Sequence, residues 1–85
     1  MSKWVMIKCN KNDMNIIMNV FDDKKIAQKE MAQDIFNLTN YEIIEELVAA
    51  SNSGKIYFGN DGAWVEPHIW EIRKMFVMSD TDDIL

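Results

Sequence analysis

The sequence predicts an α+β fold, an antiparallel sheet in the order β-β-α-α-β-β-β with two helices packed on one face. Apolar residues alternate with a period of two at both ends of the chain, and the central stretch carries apolar residues at helical spacing. Short polar or glycine turns join the alternating stretches closely enough for hairpins.

Lys3 to Cys9 reads as the first strand, with Val5, Ile7 and Cys9 on one side and Trp4, Met6 and Lys8 on the other. After the polar turn Asn10-Lys11-Asn12-Asp13, alternation resumes with Met14, Ile16, Met18 and Val20 on one face and Asn15, Ile17 and Asn19 on the other. This second strand is expected to turn its purely apolar face inward. Asp22 is the expected N-cap of the first helix, Asp23 adds negative charge to its first turn, and Phe21 and Ile26 occupy hydrophobic-staple positions. Ala27, Met31, Ile35 and Leu38 continue its apolar stripe.

Thr39 is expected to end that helix and to cap the next, because Thr39-Asn40-Tyr41-Glu42 matches a capping box and Leu38 can staple against Ile43. Ile43, Ile44, Leu47 and Val48 form the predicted buried stripe of the second helix, with Glu42, Glu45 and Glu46 facing outward and Gly54 as the stop. Ile56-Tyr57-Phe58, the turn Gly59-Asn60-Asp61-Gly62 and Ala63-Trp64-Val65-Glu66 then form a second hairpin. Pro67 interrupts the ladder, and His68 to Val77 makes a longer strand. The domain is expected to span residues 1–78, with 79–85 an acidic, disordered tail.

Eighty-five residues allow one small domain, and in so short a chain nearly every large apolar residue is needed for the core. Two helices cover only one face of a sheet, so Trp4, Ile17, Tyr57, Trp64 and the Met75/Val77 set cannot all lie beneath them. Either part of this set forms an exposed interaction surface, or the sheet twists enough to close over its own second face. The single cysteine, Cys9, cannot form an internal disulfide. No basic-then-apolar leader and no run of about 18 apolar residues is present, so a cytoplasmic protein that is neither secreted nor membrane-spanning is expected.

Catalysis has little to draw on. Cys9 sits among apolar strand neighbours, where a buried inert thiol is expected, and His68 is the only histidine and opens a strand. Asp61, Glu66 and His68 lack paired-ligand spacing for a metal, and Gly59 to Gly62 lacks the following helix and the Lys-Ser/Thr ending of a phosphate loop. No catalytic residue, metal or cofactor is assigned, and the protein is read as a non-enzyme. The net charge of −5 disfavours direct nucleic-acid binding. Charge is segregated along the chain, +3 over residues 1–29 and −8 over 30–85. The acidic set Glu42, Glu45, Glu46, Asp80, Asp82 and Asp83 is either a solvated face or a phosphate-like array facing a basic groove on a nucleic-acid-handling protein.

In length, Lys/Asn/Ile bias, acidity and segments such as Asn60-Asp61-Gly62-Ala63-Trp64-Val65 and Trp70-Glu71-Ile72, the chain looks like the small acidic proteins encoded by phages and mobile elements of AT-rich bacteria. Anti-CRISPR and other anti-defence inhibitors are among them. The resemblance implies a protein that acts by binding another macromolecule, and assigns no role to any residue. The leading expectation is therefore a protein-binding module, an inhibitor of a host or defence nucleoprotein, with Trp4, Tyr57, Trp64 and Trp70 as anchors and Glu42, Glu45 and Glu46 as an acidic rim. Two alternatives stay open. One is a homodimer or larger homo-oligomer built on a long edge strand such as His68 to Val77. The other is a small-molecule or nucleotide sequestering protein that stacks a base on Trp4, Trp64 or Trp70 and holds phosphate with the N-terminal lysines.

Overall fold

The computed structural model describes residues 2–76. Seven elements follow one another: β1 (Ser2–Asn10), β2 (Asn15–Phe21), α1 (Lys24–Leu38), α2 (Ile44–Asn52), β3 (Tyr57–Phe58), β4 (Gly62–Val65) and β5 (His68–Phe76). The strands form one five-stranded sheet in the order β2-β1-β5-β4-β3, and every neighbouring pair is antiparallel. This is the α+β architecture and element order expected from the alternation pattern. The topology also places the helices: β2 and β3 are opposite edges of the sheet, so the chain between them has to cross one face to get from one edge to the other.

Met6 of β1, Ala63 of β4 and Trp70 and Ile72 of β5 point to that face, and Ala27, Met31, Ala32, Ile35, Leu47, Ala50 and Ile56 close over them. Trp70 lies at the centre, 2% exposed. Its indole Nε1–H donates to Asp34 of α1, so its polar edge is satisfied. Gly62 is required next to it, because a Cβ there would lie 2.6 Å from the Trp70 carbonyl oxygen. Gly54, at φ 84°, follows the α2 C-cap in the left-handed region and stops the helix as expected.

Several local expectations are corrected. Asp23, not Asp22, caps α1, its carboxylate accepting from the Lys25 N–H at 3.0 Å. Asp22 instead pairs with Lys3. With the cap moved by one residue the Phe21/Ile26 staple falls out of register, and Ile26 and Leu38 are exposed while Ala27, Met31 and Ile35 are buried. Thr39 is the C-cap of α1, donating its hydroxyl to the Ile35 carbonyl, and does not open the second helix. That helix starts at Ile44, where Glu46 accepts from the backbone N–H groups of Glu42 (2.6 Å) and Ile43 (3.2 Å). The shift leaves only Leu47 of its expected stripe buried, with Ile43, Ile44 and Val48 exposed.

The largest correction concerns β2. Its wholly apolar side is not the inward one: Ile16, Met18 and Val20 stand opposite Cys9, Ile7 and Val5 on the face away from the helices. Met14 lies in the turn, at φ 58°. β5 is central, hydrogen-bonded to β1 and β4, so it is not an edge available for self-pairing. Val77 and the acidic tail 79–85 lie outside the described residues.

Candidate functional site

Cross-strand register builds the candidate surface. Ile16 faces Cys9, Cys9 faces Ile69, Ile69 faces Trp64, and Trp64 faces Tyr57. The five side chains form one apolar row across all five strands, roughly 19 Å long at the usual spacing between strands. The row lies on the face that neither helix covers. Tyr57 is 54% exposed and Trp64 39%, and Ile16 and Ile69 are exposed as well.

Beside it runs a second row of Met18, Ile7, Glu71 and Gly62, in which Met18 is 62% exposed. Val20, Val5 and Arg73 follow, and Arg73 pairs with Glu71 on the same face. Val5 is the buried exception, enclosed between its cross-strand neighbours. The open face is thus apolar along one end and along β2, with one ion pair set into it.

The residues expected to form a site fall on separate surfaces. Tyr57 and Trp64 belong to the open face. Trp4 lies on the helix side of β1, half-buried against the core beneath the Lys24 ammonium at 5.1 Å. Trp70 is enclosed in the core, and this burial removes it from any contact surface. Glu42, Glu45 and Glu46 are exposed on α2 and the turn before it, on the helix side, and Glu46 is occupied as the helix cap. Aromatic anchors and acidic rim are therefore not one patch.

Charge segregation along the sequence is partly undone in space. Lys3, Lys8, Lys11 and Lys24 pair with Asp22, Asp34, Glu66 and Asp61. Three lysines also stand over tryptophan rings, Lys8 over Trp70 at 5.5 Å, Lys11 over Trp64 at 6.0 Å and Lys24 over Trp4. The lysines expected to hold phosphate are thus largely engaged. Lys25 and Lys29 do line a cleft of about 350 Å³ with Gln28, Ile44 and Phe58, between α1 and the β3–β4 hairpin, but no tryptophan lines it.

Cys9 is only half-buried and belongs to the open-face row rather than to the interior. His68 lies on the helix side of β5 at the end of the sheet, its Nδ1 buried without a hydrogen-bond partner. Burial lowers its pKa from 6.5, as does the Lys8 ammonium, while Asp13 and Asp34 work in the opposite direction. Thiol and imidazole thus sit on opposite faces of the sheet. Among the described residues no three His, Cys, Asp or Glu side chains converge as a metal centre requires. No described helix is long and apolar enough to cross a membrane.

The signal that could have located the row was present in the sequence: β2 carries Ile16, Met18 and Val20 on one side and Asn15, Ile17 and Asn19 on the other, and only the helix crossing decides which side is covered. Compared with family models, curated proteins and solved structures, the chain matches none of them.

Proposed function

We propose that this chain is a non-enzymatic protein-binding module that meets its partner through the open face of the sheet. The observation that carries this reading is the uninterrupted apolar row from Ile16 to Tyr57, which crosses every strand and is bounded by the Glu71–Arg73 pair. An exposed, contiguous apolar surface with few charges set into it is what protein interfaces use, and a tyrosine and a tryptophan at facing strand positions are suited to anchoring.

An inhibitor of a nucleic-acid-handling protein fits this class. Its acidic contribution would come from Glu42 and Glu45 on the helix side, a surface distinct from the row, so the two contacts are separable by substitution. Affinity capture from lysate of the source cells tests this with three baits: the native chain, Met18→Glu with Tyr57→Glu, and Glu42→Lys with Glu45→Lys. All four positions are exposed, so each bait is expected to keep the native circular dichroism spectrum. A partner held by the native chain is expected to be depleted about tenfold or more from the open-face bait and retained by the acidic-face bait. Retention by the open-face bait would exclude the sheet face as the contact, and loss from the acidic-face bait alone would move the site to α2.

A further inference from the structure

We infer that two copies of this chain pair through β2, edge to edge and antiparallel, into one continuous sheet. The two edges of the sheet differ. β3 is two residues long, lies against α2, and has the Phe58 N–H taken up by the Ser51 hydroxyl at 3.0 Å. β2 runs for seven residues with every position from Asn15 to Val20 exposed. Among the described residues, no side chain or loop caps the outward backbone groups of Ile16 to Val20. Nor does Asn15–Phe21 contain a lysine, proline or glycine, or any charge, the usual guards against edge pairing.

The strand is also complementary to itself. A two-fold axis through Met18 places Ile16 opposite the partner copy's Val20 and Met18 opposite its twin on the open face, and Ile17 opposite Asn19 on the helix side. Apolar residues then meet apolar residues along the exposed rows, and the outward N–H and C=O groups of each edge find acceptors and donors in the other. Asp13 and Asp23 lie just beyond the two ends of this ladder, where their like charges oppose its extension, and Asp13 already accepts from the Asn15 N–H at 2.9 Å. The row Tyr57, Trp64, Ile69, Cys9, Ile16 continues onto Val20 and Val5 of the second copy. Pairing thus lengthens the open face without covering it, and does not depend on that face having another partner.

Sedimentation over about 1 to 100 μM tests the pairing, a range that brackets common weak dimers. The native chain is expected to shift with concentration toward twice its 10.0 kDa mass. Ile17→Glu with Asn19→Glu sets like charges opposite each other at the edge and leaves the open face untouched. This variant is expected to keep its circular dichroism spectrum and to dimerise at least about tenfold more weakly. Mixing it with Ile17→Lys, Asn19→Lys is expected to restore a dimer containing one copy of each. A native chain that is monomeric throughout overturns the edge dimer while leaving the partner-binding reading standing. A Glu variant that dimerises like the native chain, or charged variants that fold but do not recombine, places the dimer contact elsewhere and also overturns it.

Discussion

The indole Nε1–H of Trp70 donates to a carboxylate oxygen of Asp34 across 3.2 Å, joining the central strand to α1 over a separation of 36 residues. Lys8 completes the group, with its ammonium 3.8 Å from the same carboxylate and 5.5 Å from the Trp70 ring. A tryptophan so held is part of the helix–sheet seam. Trp70→Ala is expected to cost about 3–5 kcal/mol, a large share of the stability of so small a domain. Asp34→Ala is expected to cost about 1 kcal/mol, since Asp34 is partly solvated, and Asp34→Asn less, because the amide oxygen still accepts from the indole. Urea denaturation of the three variants checks the order.

Leu47 is fully buried, while Val48 next to it is 45% exposed. Leu47→Ala is expected to destabilise by about 2–5 kcal/mol, and Val48→Ala by less than about 1 kcal/mol. Equal losses would show that α2 is rotated about its axis from the orientation described.

Glu45 and Glu46 are adjacent and both exposed, yet only Glu46 accepts from the backbone at the helix start. Glu46→Ala is expected to lower stability by about 1 kcal/mol and Glu45→Ala by less than about 0.5 kcal/mol, with Glu46→Gln recovering part of the loss. Thermal unfolding of the three variants distinguishes a capping carboxylate from a merely solvated one.

His68 binds its proton less tightly in the folded chain than at its ordinary value of 6.5, burial being the largest cause. The unfolded chain therefore takes up more protons as pH falls through that range, so the contribution is present above 6.5 and is lost as pH drops through the lowered folded value. The melting temperature is expected to fall as pH drops below about 6.5, ahead of most carboxylate titration. His68→Gln is expected to flatten that segment of the profile; an unchanged slope would assign it to other groups.

Period and order were legible in the sequence, but the side each strand shows to the core was not. Alternation in β2 states that Ile16, Met18 and Val20 share a face, and it is silent on which face, since a strand reads identically either way up. Met6, Trp70 and Ile72 fix the answer from two central strands far apart in sequence, because they are the side chains the helices meet. The buried stripe of α1 was readable because Ala27, Met31 and Ile35 recur at intervals of four. The start of α2 is hidden in the sequence because Thr39 satisfies the signature of a cap while its hydroxyl donates four residues back to the Ile35 carbonyl. Of the candidate site, Tyr57 and Trp64 were identifiable as surplus to a one-sided core, whereas their alignment with Ile69, Cys9 and Ile16 depends on registers between strands that no local pattern encodes.

Which face of the sheet is open is read most directly by limited peroxide oxidation of the folded chain, followed residue by residue by mass spectrometry. Met18 on the open face is exposed, whereas Met6 of β1 and Met31 of α1 lie in the core between sheet and helices at 2% and 0%. Met18 is expected to oxidise at close to the rate of an unfolded peptide, and Met6 and Met31 at least about tenfold more slowly. Protection of Met18 together with rapid oxidation of Met6 would mean that the helices lie on the other face, and would remove the apolar row from the surface on which partner binding is proposed.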